Sequence, residues 1–87
     1  MIKEAIGKLV ESRNLSEDEA YEVMREVIGR QPTESQTGDF LTSLRMKGGS
    51  VEEIVGFVKA MMEFCYRIYT KARILVDTCG TGGDRLK

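Results

Sequence analysis

Gly80-Thr81-Gly82-Gly83-Asp84 is the segment whose residue types could do chemistry. Glycine reaches positive φ and carries no Cβ, so successive amides can line up against an oxyanion. Thr81 adds a hydroxyl donor. Asp84 is the odd member, because its charge repels phosphate directly. It suits a sugar hydroxyl, the loop's own amides or a magnesium ion carried by the ligand. The spacing is not a dinucleotide fingerprint, since the third glycine of G-x-G-x-x-G would fall on Arg85. It is not a P-loop either, since Leu86 and not glycine precedes Lys87. The competing explanation is a tight strand-to-helix turn with no ligand.

The elements ahead of the loop decide between these. Ile74-Leu75-Val76 is a continuous apolar run, and with Asp77-Thr78-Cys79 it predicts a strand of a parallel sheet. Open α/β sheets bind ligands at the carboxyl ends of their strands, which favours a ligand at Gly80 to Asp84. Lys71-Ala72-Arg73 reads as a short polar connection into that strand.

Four helices are expected before it. Ile2, Ala5, Ile6, Leu9 and Val10 share one face of the first. Ser16-Glu17-Asp18-Glu19 is a capping box that opens the second, with Leu15 placed as a hydrophobic staple. Ala20, Val23, Met24, Val27 and Ile28 point inward from it. Gly29 suits a left-handed stop, and Pro32 prevents continuation. Thr33 to Gln36 is a second box, leading a third helix with Thr37, Phe40, Leu41 and Leu44 on one face, closed by Gly48-Gly49. Ser50 to Glu53 is a third box, opening the longest helix. Its apolar stripe is Ile54, Val55, Val58, Met61, Met62, Cys65, Ile68 and Tyr69, with Phe57, Phe64 and Tyr66 beside it. So wide a stripe suits a central helix buried by the other three, or one that also meets a second subunit or a further domain.

Composition narrows the classes. Eighty-seven residues make one small domain, and a net charge of -1 offers no field for nucleic acid or an anionic membrane. Cys65 and Cys79 lack zinc-ligand or redox spacing and read as free thiols of a reducing compartment. No segment approaches the ~20 apolar residues of a membrane span, and the N-terminus has no signal-peptide plan. The expected location is cytoplasmic. The chain has no histidine, so Cys79 lacks a base that would make it a nucleophile. Arg45 and Lys47 complement the dipole at the end of the third helix or face a cleft. Met24, Met46, Met61 and Met62 read as core filling.

Val76 to Asp84 resembles the signature loop of the anthranilate phosphoribosyltransferase family. Gln36, Phe40-Leu41, Leu44-Arg45-Met46-Lys47-Gly48 and Glu52-Glu53-Ile54 resemble that family's third and fourth helices in order and spacing. Ser16 to Ala20 resembles the opening of its second. The related pyrimidine nucleoside phosphorylases typically insert valine-glycine before the aspartate, and Gly82-Gly83-Asp84 lacks that insertion. A nucleoside phosphorylase fragment and a free-standing helical association module are the alternatives.

The resemblance implies transfer of phosphoribosyl from phosphoribosyl pyrophosphate to the amine of anthranilate, a step of tryptophan biosynthesis. Pyrophosphate leaves, and magnesium assists with ligands outside this chain. It implies that Gly80 lies between the two substrates, that Gly83 and Asp84 contact phosphoribosyl pyrophosphate, and that a homodimer forms through the helical domain; Thr81 and Gly82 join them as expected substrate-binding residues on the reading of the loop itself. The expected architecture is an all-α four-helix domain over residues 1–70. Residues 71–87 would be a hinge, a strand and the glycine-rich loop, the start of an α/β catalytic domain. Only the first quarter or so of a family member is covered, so these 87 residues are expected to be inactive alone. Without a sheet to join, the strand would be disordered, fold back or pair with another copy.

Overall fold

The computed structural model describes residues 1–79, which form four α-helices: α1 (Ile2–Val10), α2 (Glu17–Ile28), α3 (Glu34–Lys47) and α4 (Val51–Cys79). The glycine-rich segment lies outside the described residues. All three expected capping boxes form. The Ser16 hydroxyl accepts from the Glu19 amide at 3.1 Å, and the Glu19 carboxylate accepts from the Ser16 amide at 2.9 Å. Thr33 with Gln36 and Ser50 with Glu53 repeat the exchange. Each box satisfies amides that a helix start leaves without partners.

The first two helix ends differ from a simple glycine stop. Gly29 keeps right-handed helical geometry, and Arg30 takes the left-handed one at φ 57°. The Arg30 amide donates to the Val27 carbonyl and the Gln31 amide to the Glu26 carbonyl, a Schellman arrangement. Helix α1 ends the same way, with Ser12 at φ 60° and bonds from Ser12 to Leu9 and from Arg13 to Lys8. Gly48 closes α3 at φ 88°, where a side chain would be strained.

Helix α2 lies along α4, and α1 lies along α3. Ile2, Ala5 and Leu9 of α1, Leu15, Ala20 and Val23 at α2, Phe40 of α3 and Phe57 of α4 form one core. The rings of Phe40 and Phe57 meet edge to face, with centroids 6.0 Å apart. Leu15 and Ala20 are both in that core, at the two positions of the expected staple. Val10 and Leu41, expected inside, are exposed.

Two expectations for the last helix are corrected. Ile74 to Cys79 is not a strand and Lys71 to Arg73 is not a connection, because α4 runs unbroken through both. No glycine or proline interrupts residues 57–79. Among the described residues there is no strand for it to pair with, so the backbone satisfies its polar groups locally, and β-branched residues cost a helix only tenths of a kcal/mol each, roughly. Thr78 adds a bond from its hydroxyl to the Ile74 carbonyl at 2.8 Å.

The second correction concerns which face of α4 is inside. Glu53, Gly56, Phe57 and Ala60 are buried, while the expected stripe from Ile54 to Tyr69 faces outward. The cause is close approach. A Cβ on Gly56 would stand 2.3 Å from the Glu17 carbonyl oxygen and 2.8 Å from the Ala20 Cβ. Small residues on both helices let the backbones near one another, and that contact outranks hydrophobicity in choosing the face.

Candidate functional site

Among the described residues, the buried charge cluster sits where the α1–α2 and α3–α4 turns meet. Glu53 is fully buried, and the Lys47 side chain is 6% exposed. Glu53 Oε2 accepts from the Leu15 amide at 2.7 Å. Its Oε1 accepts from Lys47 Nζ at 2.9 Å and from the Ser50 amide at 2.8 Å. Lys47 Nζ also donates to Asn14 Oδ1 and to the Gly48 carbonyl. Burial pushes the Glu53 carboxyl up. The Leu15 amide, the Lys47 ammonium and the Ser50 amide outweigh it and hold the group below the usual carboxylate range.

Every partner in this cluster is satisfied, so it ties two turns together rather than offering a valence to a ligand. The dipole reading of Lys47 is met in part, through its bond to the Gly48 carbonyl at the end of α3. Its partnership with Glu53 went unread in the sequence. The signal was there: Glu53 lies on the same helical face as Phe57, Ala60 and Phe64, at steps of three and four. Arg45 is exposed.

A groove of about 480 Å³ runs between the C-terminal half of α2 and the middle of α4. Glu22, Arg25, Glu26, Phe64, Arg67 and Lys71 line it. Arg25 stands over the Tyr21 ring and lies 3.9 Å from Glu63. Acids and bases alternate around it, and the nearby helix end is a C-terminus, so the groove does not concentrate positive potential for a phosphate. A smaller apolar hollow of about 220 Å³ lies between the ends of α1 and α3, beside Val10 and Met46.

The five expected substrate-binding residues, Gly80, Thr81, Gly82, Gly83 and Asp84, lie outside the described residues. Among the described residues, no three His, Cys, Asp or Glu side chains stand where they could hold a metal ion. None of the described helices is long and apolar enough to cross a membrane. Cys65 is an exposed free thiol.

Comparison with known proteins is specific. The chain is 51% identical to the anthranilate phosphoribosyltransferase of Caldanaerobacter subterraneus subsp. tengcongensis over 84 residues, 97% of this chain and 25% of that protein. It is 52% identical to the anthranilate phosphoribosyltransferase of Desulforamulus reducens over 84 residues, 97% of this chain and 24% of that one. The chain therefore spans about a quarter of the length of the curated relatives it matches. No solved structure matches it. Residues 3–65 match the profile of the glycosyl transferase family, helical bundle domain. That match covers α1, α2, α3 and the first half of α4, and the chain belongs to the glycosyl transferase family through this helical bundle domain.

Proposed function

We propose that this chain is the N-terminal part of an anthranilate phosphoribosyltransferase. One observation carries the reading. An 84-residue match within 87 residues takes in Gly80 to Asp84, so the likeness extends past the helical bundle and through the loop. The alternatives, a nucleoside phosphorylase fragment and a free-standing association module, have no comparable support.

In the proposed reaction the anthranilate nitrogen attacks C1 of the ribose. The bond from C1 to the pyrophosphate oxygen breaks, pyrophosphate departs with the bonding pair, and the amine loses a proton. Positive charge develops on the ribose and negative charge on the leaving group. The amides of Gly80 to Gly83 and the Thr81 hydroxyl would hold the pyrophosphate oxygens, and glycine lets the backbone come within hydrogen-bond distance. Gly80 would lie between the two substrates, and Asp84 would take the ribose hydroxyls or face a magnesium ion on the ligand. Magnesium, when bound, would neutralise charge on the departing pyrophosphate. Its remaining ligands would come from outside this chain.

Residues 1–70 would serve as the helical, dimerising part and residues 71–87 as the lead into catalytic residues. The setting would be the cytoplasm. A chimera tests the reading, with these 87 residues replacing the first quarter of the Caldanaerobacter relative. Anthranilate-dependent release of pyrophosphate should persist and fall sharply with D84A. A folded chimera without turnover would refute the assignment. The 87 residues alone should show no turnover.

A further inference from the structure

We propose that α3 is a lid that opens on its own, peeling away from its Thr33 end while α1, α2 and α4 stay folded. Its own sequence makes it weak. Thr37, Gly38, Asp39, Thr42 and Ser43 stand in the middle of α3, and each is a poorer helix former than alanine, leucine or lysine. A helix of 14 residues with such a centre does not hold itself together in water, so packing must hold it.

That packing is thin. Phe40 is the one buried residue of α3, whereas α1 buries Ile2, Ala5 and Leu9 within 9 residues. Leu44 is only partly buried against the core, and Leu41 and Met46 are 49% and 83% exposed. Polar ties are missing too. Among the described residues, Glu34 to Met46 make no side-chain hydrogen bond or ion pair with another helix. Helix α2, by contrast, is tied to α1 by Glu19 with Lys8, and to α4 by Glu17 with Lys59 and Tyr21 with Glu63. Low burial and few ties mark the parts of a fold that open before the whole does.

The two ends of α3 are unequal, and this sets the direction. At the C-terminal end Lys47 is held by Glu53 and Asn14. At the N-terminal end Thr33 and Gln36 bond only one another, and the chain is tied to α2 no further than the Gln31 amide. Opening therefore begins at Thr33 and stops at Lys47. Phe40 lies between and leaves with the lid, which parts its ring from Phe57 and uncovers that side of the core. Helix α1 keeps Ile2, Ala5 and Leu9 against the remaining core and Lys8 on Glu19.

Native-state hydrogen exchange of the 87-residue chain, read by nuclear magnetic resonance in low urea, tests this. Amides from Gly38 to Leu44 should be at least about tenfold less protected than those of α2 and of Phe57 to Phe64, with a shallower dependence on urea. Within α3, protection should rise toward Gly48. G38A should raise protection across α3 about two- to fivefold, because exchange there requires the helix itself to unfold. A20G adds glycine's cost to α2 where it meets Gly56, so it should speed exchange in α2 and α4 about fivefold and leave α3 unchanged. Amides of α3 that are as protected as those of α2 and α4, or that speed up with them in A20G, would overturn the lid, since α3 would then open only with the whole bundle. Exchange in α3 that ignores G38A would overturn its unfolding. Helix α1 exchanging at the rate of α3 would overturn its opening alone, and protection falling toward Gly48 would overturn the direction.

Discussion

Replacing Glu53 by glutamine keeps the shape of the side chain and removes its charge. The structure sets the cost. Glutamine has one carbonyl oxygen, whereas both carboxylate oxygens of Glu53 accept. If its NH₂ takes the Oε2 place, two N–H donors confront each other where the Leu15 amide stood 2.7 Å from oxygen. If the amide is flipped, the NH₂ faces the Lys47 ammonium and the Ser50 amide instead. Breaking a buried ion pair costs about 3–5 kcal/mol. Lys47 keeps Asn14 and Gly48 as acceptors, which places E53Q at the lower end, about 3 kcal/mol. A chain of this size has roughly 4–13 kcal/mol in total, so the variant should lose a large share of its stability. The melting temperature should fall by about 12–24 °C.

Urea unfolding followed by circular dichroism at several pH values is the assay. The Glu53 carboxyl is held below its unfolded value, so its contribution is complete above that value and is lost as pH falls through the folded one. The gap between wild type and E53Q should be flat from pH 7 down to about 5.5 and narrow below about 4. Glu4 and Glu19 are also held low, but they are present in both proteins and cancel in the difference. K47M should cost less than E53Q, because the Leu15 and Ser50 amides still serve the carboxylate. An E53Q protein within 0.5 kcal/mol of wild type, roughly, would refute the reasoning, as would a gap that stays constant into acid.

Three further substitutions test the backbone geometry. G56A should destabilise by about 2–4 kcal/mol, since the new methyl meets backbone atoms of Glu17 and Tyr21 that cannot yield unless α2 and α4 part. G38A is its control: nothing lies within 4 Å of that Cβ, so ordinary helix propensity should make it about 0.5–1 kcal/mol more stable in the same melt. R30G should also stabilise, by about 0.5–1 kcal/mol, because Arg30 and not Gly29 holds the left-handed position. A loss of thermal stability in R30G would contradict that placement.

The helix starts were legible because each is encoded within four residues. Ser16 with Glu19, Thr33 with Gln36 and Ser50 with Glu53 need nothing beyond their own turn to form their bonds. The ends were less so, since glycine at position 29 signals a stop but does not say which neighbour takes positive φ. The inside of α4 was hidden for a different reason. Apolar residues surround much of the helix, so periodicity could not rank its faces. The decision came from Ala20 and Gly56, two small residues 36 positions apart whose meeting no local pattern announces. Ile74 to Cys79 illustrates a third limit. An apolar β-branched run suits a strand only where another strand exists to pair with it, and that condition lies outside the run.

The crossing at Gly56 also reaches the far end of the chain. Helix α4 continues from that crossing to Cys79, 23 residues on, a rigid arm of ~35 Å at 1.5 Å per residue. Its last residue adjoins Gly80, the first of the proposed substrate contacts. A change of about 5° in the α2–α4 crossing angle, well inside the scatter of helix packing, swings the end of such an arm by ~3 Å. That is a whole hydrogen-bond length. The contact that chooses which side of α4 is buried therefore also sets where α4 carries its last described turn. A substitution at Gly56 that left the bundle folded would displace the last turn of α4 without altering any of its residues.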